Sequence, residues 1–186
     1  MTTISLRRSE AESAAVATNG TQAFRTASGG LIDRRRSLDF SFDGTQYTGF
    51  HGDTLASALL ANGVRLVGRS FKYHRPRGIL SAGSEEPNAI VELRTGARRE
   101  PNTRATVAEL YQGLEATSQN RWPSLKHDVL AVNALLSPSF AAGFYYKTFM
   151  WPRKAWDSLY EPFIRAAAGL GRAPTQADPD RYLNRY

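Results

Sequence analysis

The sequence predicts an α+β domain, and three observations predict it. Two runs of alternating apolar and polar residues flank the dipeptide Asp43-Gly44. A capped, amphipathic helical run follows them directly. After a long loop that carries Gly68, Gly78, Pro76 and Pro87, short β-branched runs return.

The elements follow in order. Met1 to about Ala23 is rich in Ala, Ser and Thr without firm periodicity, and reads as a mobile tail over 1–23. Ser28-Gly29-Gly30 is a turn, and Arg34-Arg35-Arg36 leads into the first strand. Leu38-Asp39-Phe40-Ser41-Phe42 alternates with the period of a half-buried strand. Asp43-Gly44 suits a type I′ turn, whose central residues both need positive φ. Thr45 to Phe50 alternates again, so the two runs form a hairpin. Asp53 to Gly63 reads as a helix with Asp53 as N-cap, Leu55, Ala58, Leu59 and Asn62 on one face, and Gly63 at its left-handed end. Val64, Leu66 and Val67 can begin a further strand. Gly68 to Pro87 is loop, Ala89 to Leu93 a strand, and Thr103 to Leu110 another candidate strand. Val129 to Leu136 is apolar and ambiguous between helix and strand. Strand, turn, strand, helix, long loop, strands is the order of a β-grasp layout.

Beyond this unit the composition shifts. Phe140, Phe144, Tyr145, Tyr146, Phe149, Trp151, Trp156 and Tyr160 crowd one stretch. Pro162 suits the first turn of a short helix that carries Phe163, Ile164 and Leu170, ended by Gly169, Gly171 and Pro174. Residues 175–186 are polar and read as a connection. The aromatic arm is too apolar for water and must bury itself on this domain, a second domain or a partner. The expected organisation is therefore a disordered tail over 1–23, a β-grasp domain over 24–115, and an extension and linker over 116–186.

Composition sets limits on function. The chain has 186 residues, 41% of them hydrophobic and 11% aromatic, so it can bury a core. It has no cysteine, which excludes disulfides and cysteine-ligated zinc or iron–sulfur sites. No run of about 20 apolar residues could span a membrane, and the first residues lack a secretory apolar stretch. A cytoplasmic protein without membrane association is the expectation. The formal net charge is +7, and most of the basic residues are arginine. Arginine suits phosphate or carboxylate ligands, but a basic, soluble surface is the better reading for most of them individually.

The densest functional-looking stretch is Arg69-Ser70-Phe71-Lys72-Tyr73-His74-Arg75-Pro76-Arg77-Gly78. Lys72, His74, Arg75 and Arg77 are candidates to hold the phosphate of a cofactor, or an RNA backbone with bases stacked on Phe71 and Tyr73. The plain alternative is a solvated basic loop with its aromatics in the core. Acidic residues interspersed along the chain argue against a nucleic-acid binder. His51, His74 and His127 are far apart in sequence and support no metal site. Glu85-Glu86-Pro87 could offer an acid and a base, but reads better as a solvated turn or as partners for nearby arginines. No nucleophile-elbow, zinc-protease, P-loop or dinucleotide fingerprint occurs, so no catalytic residue is assigned.

Gly52-Asp53-Thr54-Leu55-Ala56-Ser57-Ala58-Leu59-Leu60-Ala61-Asn62-Gly63 is followed by Gly68-Arg69-Ser70-Phe71-Lys72-Tyr73-His74-Arg75-Pro76-Arg77-Gly78-Ile79 and Gly83-Ser84-Glu85-Glu86-Pro87-Asn88-Ala89. Ser118-Gln119-Asn120, Ala142 to Pro152 and Tyr160-Glu161-Pro162 come later. Together these blocks, from about Phe24 to Tyr186, resemble the N-terminal region of the alpha subunit of heterotetrameric sarcosine oxidase. The resemblance implies a β-grasp domain like that of [2Fe–2S] ferredoxins. In cluster-bearing relatives, cysteines in the loop after the helix hold the iron, whereas here Arg77 to Gly83 carries no thiolate. It further implies a non-catalytic leading segment without a cofactor of its own. That segment would precede a dinucleotide-binding domain in the remainder of the alpha subunit and assemble with beta, gamma and delta subunits. The whole complex would use FAD, FMN, NAD and tetrahydrofolate to oxidise sarcosine to glycine with oxygen.

Overall fold

The computed structural model describes residues 22–135, 151–167 and 169–177. The expected tail over 1–23 lies almost wholly outside them, as do Phe140, Phe144, Tyr145, Tyr146 and Phe149 of the aromatic arm. A mixed sheet forms the centre. Its strands are β1 (Asp33–Phe42), β2 (Thr45–His51), β5 (Ile90–Leu93), β6 (Glu100–Arg104) and β7 (Leu114–Ser118), in the order β2-β1-β7-β5-β6. Helix α1 (Leu55–Ala61) packs on one face, and β3 (Gly68–Arg69) and β4 (Pro76–Arg77) make a separate two-stranded ladder.

β1 and β7 run parallel, while β1–β2, β5–β7 and β5–β6 are antiparallel. This parallel pair flanked by antiparallel ones is the β-grasp arrangement that the element order predicts. Phe40 and Phe42 of β1 and Leu114 and Ala116 of β7 point to the same face. There they meet Leu55, Ala58 and Leu59 of α1 and Val91 and Leu93 of β5 in one core. The β1–β2 turn is as the sequence requires: Asp43 has φ 49° and Gly44 has φ 77°.

Three local expectations are corrected. The N-cap of α1 is Thr54, not Asp53. Thr54 Oγ1 accepts from Ser57 N–H, and Ser57 Oγ accepts from Thr54 N–H, which closes a capping box. Asp53 is displaced from this role because Arg25 binds its carboxylate with two guanidinium nitrogens, at 2.7 and 3.1 Å. The expected strand over Thr103 to Leu110 stops at Arg104. Beyond it the chain turns beneath the start of α1, where the carbonyls of Ala105 and Ala108 accept from Ala56 and Leu55 N–H. Those helix-start donors have no partner inside the helix, and their demand outweighs the β-branched residues' preference for a strand.

Strand β7 had no signal in the sequence reading, yet it is the middle strand of the sheet. It runs across residue 115, where the domain was expected to end. Val64, Leu66 and Val67 pack against or within the core but belong to no strand. Val129–Ala134 resolves to a 3-10 helix. Helix α2 (Glu161–Ala167) carries Pro162 in its first turn, as expected, and a π-helical turn over Trp156–Tyr160 leads into it. The segment after α2 returns to the sheet: Asn102 Nδ2 donates to Leu170 O at 2.8 Å, and Thr175 N–H to Ala97 O at 2.8 Å.

Candidate functional site

Two loops follow α1 side by side, and both are built around buried carboxylates. The first is the basic hairpin over 69–77. Ser70 and Arg75 close it through Ser70 N–H to Arg75 O at 3.0 Å, with Arg75 N–H returning to Ser70 Oγ at 3.0 Å. His74 sits at its turn with φ 52° and is buried. Its Nδ1 lies 2.7 Å from Asp128 Oδ2. Asp128 Oδ1 accepts from Trp122 N–H at 3.1 Å and Leu130 N–H at 3.2 Å. Arg69 reinforces the join by donating to Leu125 O at 2.6 Å and to His74 O at 3.1 Å. The hairpin is thereby fastened to the segment 120–130.

This geometry sorts the sequence candidates. His74 is turned inward and serves the hairpin's own structure. Arg75 and Arg77 are exposed, and Lys72 is half-buried. Lys72 and Arg75 lie over the Tyr73 ring, at 5.1 and 4.9 Å from its centroid. A small cavity of about 110 Å³ beside the hairpin is lined by Arg69, Ser70, Arg77, Asn88, Asn102 and Asn120, among others.

The second loop, 79–89, departs from the solvated turn expected of Glu85-Glu86. Glu85 is exposed, but Glu86 is completely buried. Its Oε2 accepts from Leu80 N–H at 2.7 Å, Ser81 N–H at 2.5 Å and Ser81 Oγ at 3.3 Å. Its Oε1 accepts from Asn88 N–H at 2.7 Å and Ala89 N–H at 3.1 Å. Burial acts to raise the pKa of this carboxyl. The backbone hydrogen bonds of Ser81, Asn88, Leu80 and Ala89 outweigh burial and hold it below the usual glutamate value. Arg104 Nε donates to Glu86 O at 3.1 Å, and Thr106 Oγ1 to Gly83 O at 2.7 Å, which ties the loop to the chain after β6. A cavity of about 430 Å³ reaches this loop at Ile79, Ser81 and Ala82, with Thr106 beside them, and its lining includes Arg25 and Arg34.

The sequence reading missed the structural weight of Asp128, Arg25 and Glu86. Nothing local marks Asp128, since its partner His74 lies 54 residues away. Among the described residues no three His, Asp or Glu side chains converge as a metal site, and no helix is long and apolar enough to cross a membrane.

Comparison with known proteins gives this geometry a family context. Residues 35–121 match the family model of the 2Fe-2S iron-sulfur cluster binding domain. The chain is 66% identical to the sarcosine oxidase subunit alpha of Rhizobium meliloti (strain 1021) over 160 residues, 86% of this chain and 16% of that protein. It is 46% identical to the sarcosine oxidase subunit alpha of Corynebacterium sp. (strain U-96) over 94 residues, 48% of this chain and 10% of that protein. The chain spans 16% or less of the length of these curated relatives. Among solved structures, L-proline dehydrogenase from P. horikoshii matches with TM-score 0.38 and 21% identity, over 50% of this chain and 17% of that chain, too slight a likeness to carry an argument. The resemblance read from the sequence stands: the chain is similar to the N-terminal region of sarcosine oxidase alpha subunits.

The fold is thus a ferredoxin-like β-grasp, but its residues do not fit a cysteine-ligated cluster. The chain has no cysteine. The N–H groups of the loop that could face an anionic cluster already point at Glu86.

Proposed function

We propose that this segment is a non-catalytic scaffold of a sarcosine oxidase alpha subunit, within a complex that oxidises sarcosine to glycine with oxygen and passes the methyl carbon to tetrahydrofolate. The observation that carries the reading is the 66% identity to such a subunit over 86% of this chain. Two features support the scaffold role. The loop that holds iron in cluster-bearing proteins of this fold is closed on its own carboxylate. Large apolar side chains stand exposed on the extension, among them Trp151 at 84%, Leu159 and Phe163. Surface of this kind suits packing against the remainder of the alpha subunit. On this reading FAD, FMN, NAD and tetrahydrofolate are held elsewhere in the complex, and beta, gamma and delta subunits complete it.

A second reading gives the hairpin a part in cofactor handling. Arg75 and Arg77 are exposed, Arg77 lines the cavity beside the hairpin, and the two guanidinium groups could face an anionic group of a bound cofactor. Nucleic acid is the weaker form of this reading.

The test is purification of the protein through an affinity tag from its source cells. Co-purifying subunits and sarcosine-dependent oxygen uptake are the expected result. Recovery of the chain without either overturns the oxidase reading. Combined Arg75→Ala and Arg77→Ala substitution separates the two roles. A pure scaffold keeps its flavin and NAD content, whereas a cofactor-contacting hairpin loses part of it.

A further inference from the structure

We infer that Glu86 stands at a cluster-ligand position of this fold and supplies from within the chain the negative charge around which the loop 79–89 is built. Plant-type [2Fe–2S] loops place three cysteines at the spacing C-x4-C-x2-C, with a fourth farther along. Ser81, Glu86 and Ala89 have that spacing. The structure gathers these same three residues around one point. Glu86 Oε2 takes the Ser81 N–H at 2.5 Å, and Oε1 takes the Ala89 N–H at 3.1 Å.

A candidate for the fourth position comes from the other side of the loop. Thr106 is buried, and its hydroxyl donates to Gly83 O at 2.7 Å, between Ser81 and Glu86 in sequence. Its neighbour Ala105 donates its N–H to Ala89 O at 2.8 Å, which sets Thr106 beside the third position. Ser81, Ala82 and Thr106 line the same cavity.

The physical logic is continuity of charge. An iron–sulfur loop turns backbone N–H groups toward anionic sulfur, and those hydrogen bonds help set its properties. Removal of the thiolates alone would leave buried donors without acceptors, each at a substantial penalty. A carboxylate at the second position satisfies four N–H groups and one hydroxyl. The loop therefore keeps its shape without metal. Both oxygens are fully engaged, so Glu86 has no lone pair directed at an external ligand.

Two experiments on the complete protein with its partner subunits test this. In the first, Ser81→Cys, Glu86→Cys, Ala89→Cys and Thr106→Cys are combined, and the protein is reconstituted anaerobically with ferrous iron and sulfide. The expected result is visible absorption and, on reduction, an EPR signal of a [2Fe–2S] centre. The matching variant that retains Glu86 should give neither. A folded quadruple variant that takes up no iron overturns the assignment of positions. In the second, Glu86→Gln should lower Tm by on the order of 10 °C, and an unchanged Tm overturns the charge role. Should the quadruple variant fail to fold, Glu86→Ala decides. Recovery of Tm by added formate, and not by chloride at equal ionic strength, supports an anion-centred loop. Absence of recovery overturns it.

Discussion

The two loops that follow α1 solve one problem in opposite ways. The loop 79–89 is organised by a carboxylate of its own, and every group that Glu86 accepts from lies within six residues of it. The hairpin 69–77 is organised by Asp128, 54 residues from His74. The first is organised around a carboxylate from its own sequence, with Arg104 and Thr106 tying its outside to the chain after β6. The second has its own Ser70–Arg75 closure, but its buried turn at His74 is fastened only by the segment 120–130. Local closure suits a loop that keeps an inherited shape, whereas long-range closure couples the basic surface to the rest of the domain.

The sharpest way to break the comparison is Glu86→Gln. The amide nitrogen must face N–H donors whichever way it turns, so the variant should lose about 3 kcal/mol or more. Hydrogen exchange should rise across 79–89 while 69–77 stays protected. The pH dependence has a definite sign. The folded pKa of Glu86 lies below its ordinary value. Its contribution is therefore fully present above the unfolded value, about 4.3, and is lost as pH falls through the folded one. Acid titration of stability should show this loss in the parent protein. Glu86→Gln should titrate more flatly below pH ~4.3, and an identical acid limb in the two proteins would refute the assignment.

Asp128→Ala comes next in size. It leaves the buried His74 without its carboxylate partner and the part-buried Trp122 and Leu130 N–H groups without that acceptor, at a cost of about 1–3 kcal/mol. Here exchange should rise in both 69–77 and 120–130. A rise confined to either segment alone would show that the two are not coupled through this carboxylate.

The contrast also explains what the sequence disclosed. Periodicity and turn chemistry show the β1–β2 hairpin and α1, because Phe40, Phe42, Leu55 and Leu59 bury the residues that their spacing says they should. β7 was invisible because Leu114-Glu115-Ala116-Thr117-Ser118 has only modest strand preference and is a strand by virtue of its two neighbours. Glu86 was misread for a related reason. Two adjacent glutamates before proline look solvated, and only the folded loop shows one turned in and the other out. The spacing to Ser81 and Ala89 was the available signal, but it is meaningful only once cysteine is no longer required at those positions. Asp128 and Arg25 act over distances that no local pattern reports.

Thr54→Ala tests the corrected helix start at a smaller scale. The cap accepts from Ser57 N–H at 3.2 Å, and its loss should cost about 1 kcal/mol in a chemical denaturation experiment. Asp53→Asn should cost more than a cap, because Arg25, Phe50 N–H and Ser57 Oγ all lean on that carboxylate. Equal losses from the two would show that the Asp53 carboxylate contributes no more than the Thr54 cap.

Arg75→Ala should have the smallest effect on stability and the most informative effect on function. Its guanidinium is exposed and lies over the Tyr73 ring, a contact worth about 0.5–1 kcal/mol at such a site. A melt should therefore barely move. The hairpin backbone beneath it is held by Asp128 and not by this side chain, so substitution removes charge without removing the loop. On the proposed cofactor-handling reading of the hairpin, loss of flavin or NAD from the assembled protein would then report a direct electrostatic contact. Retention of both, alongside a normal melt, would leave the hairpin as a fastening and the charge on it as surface.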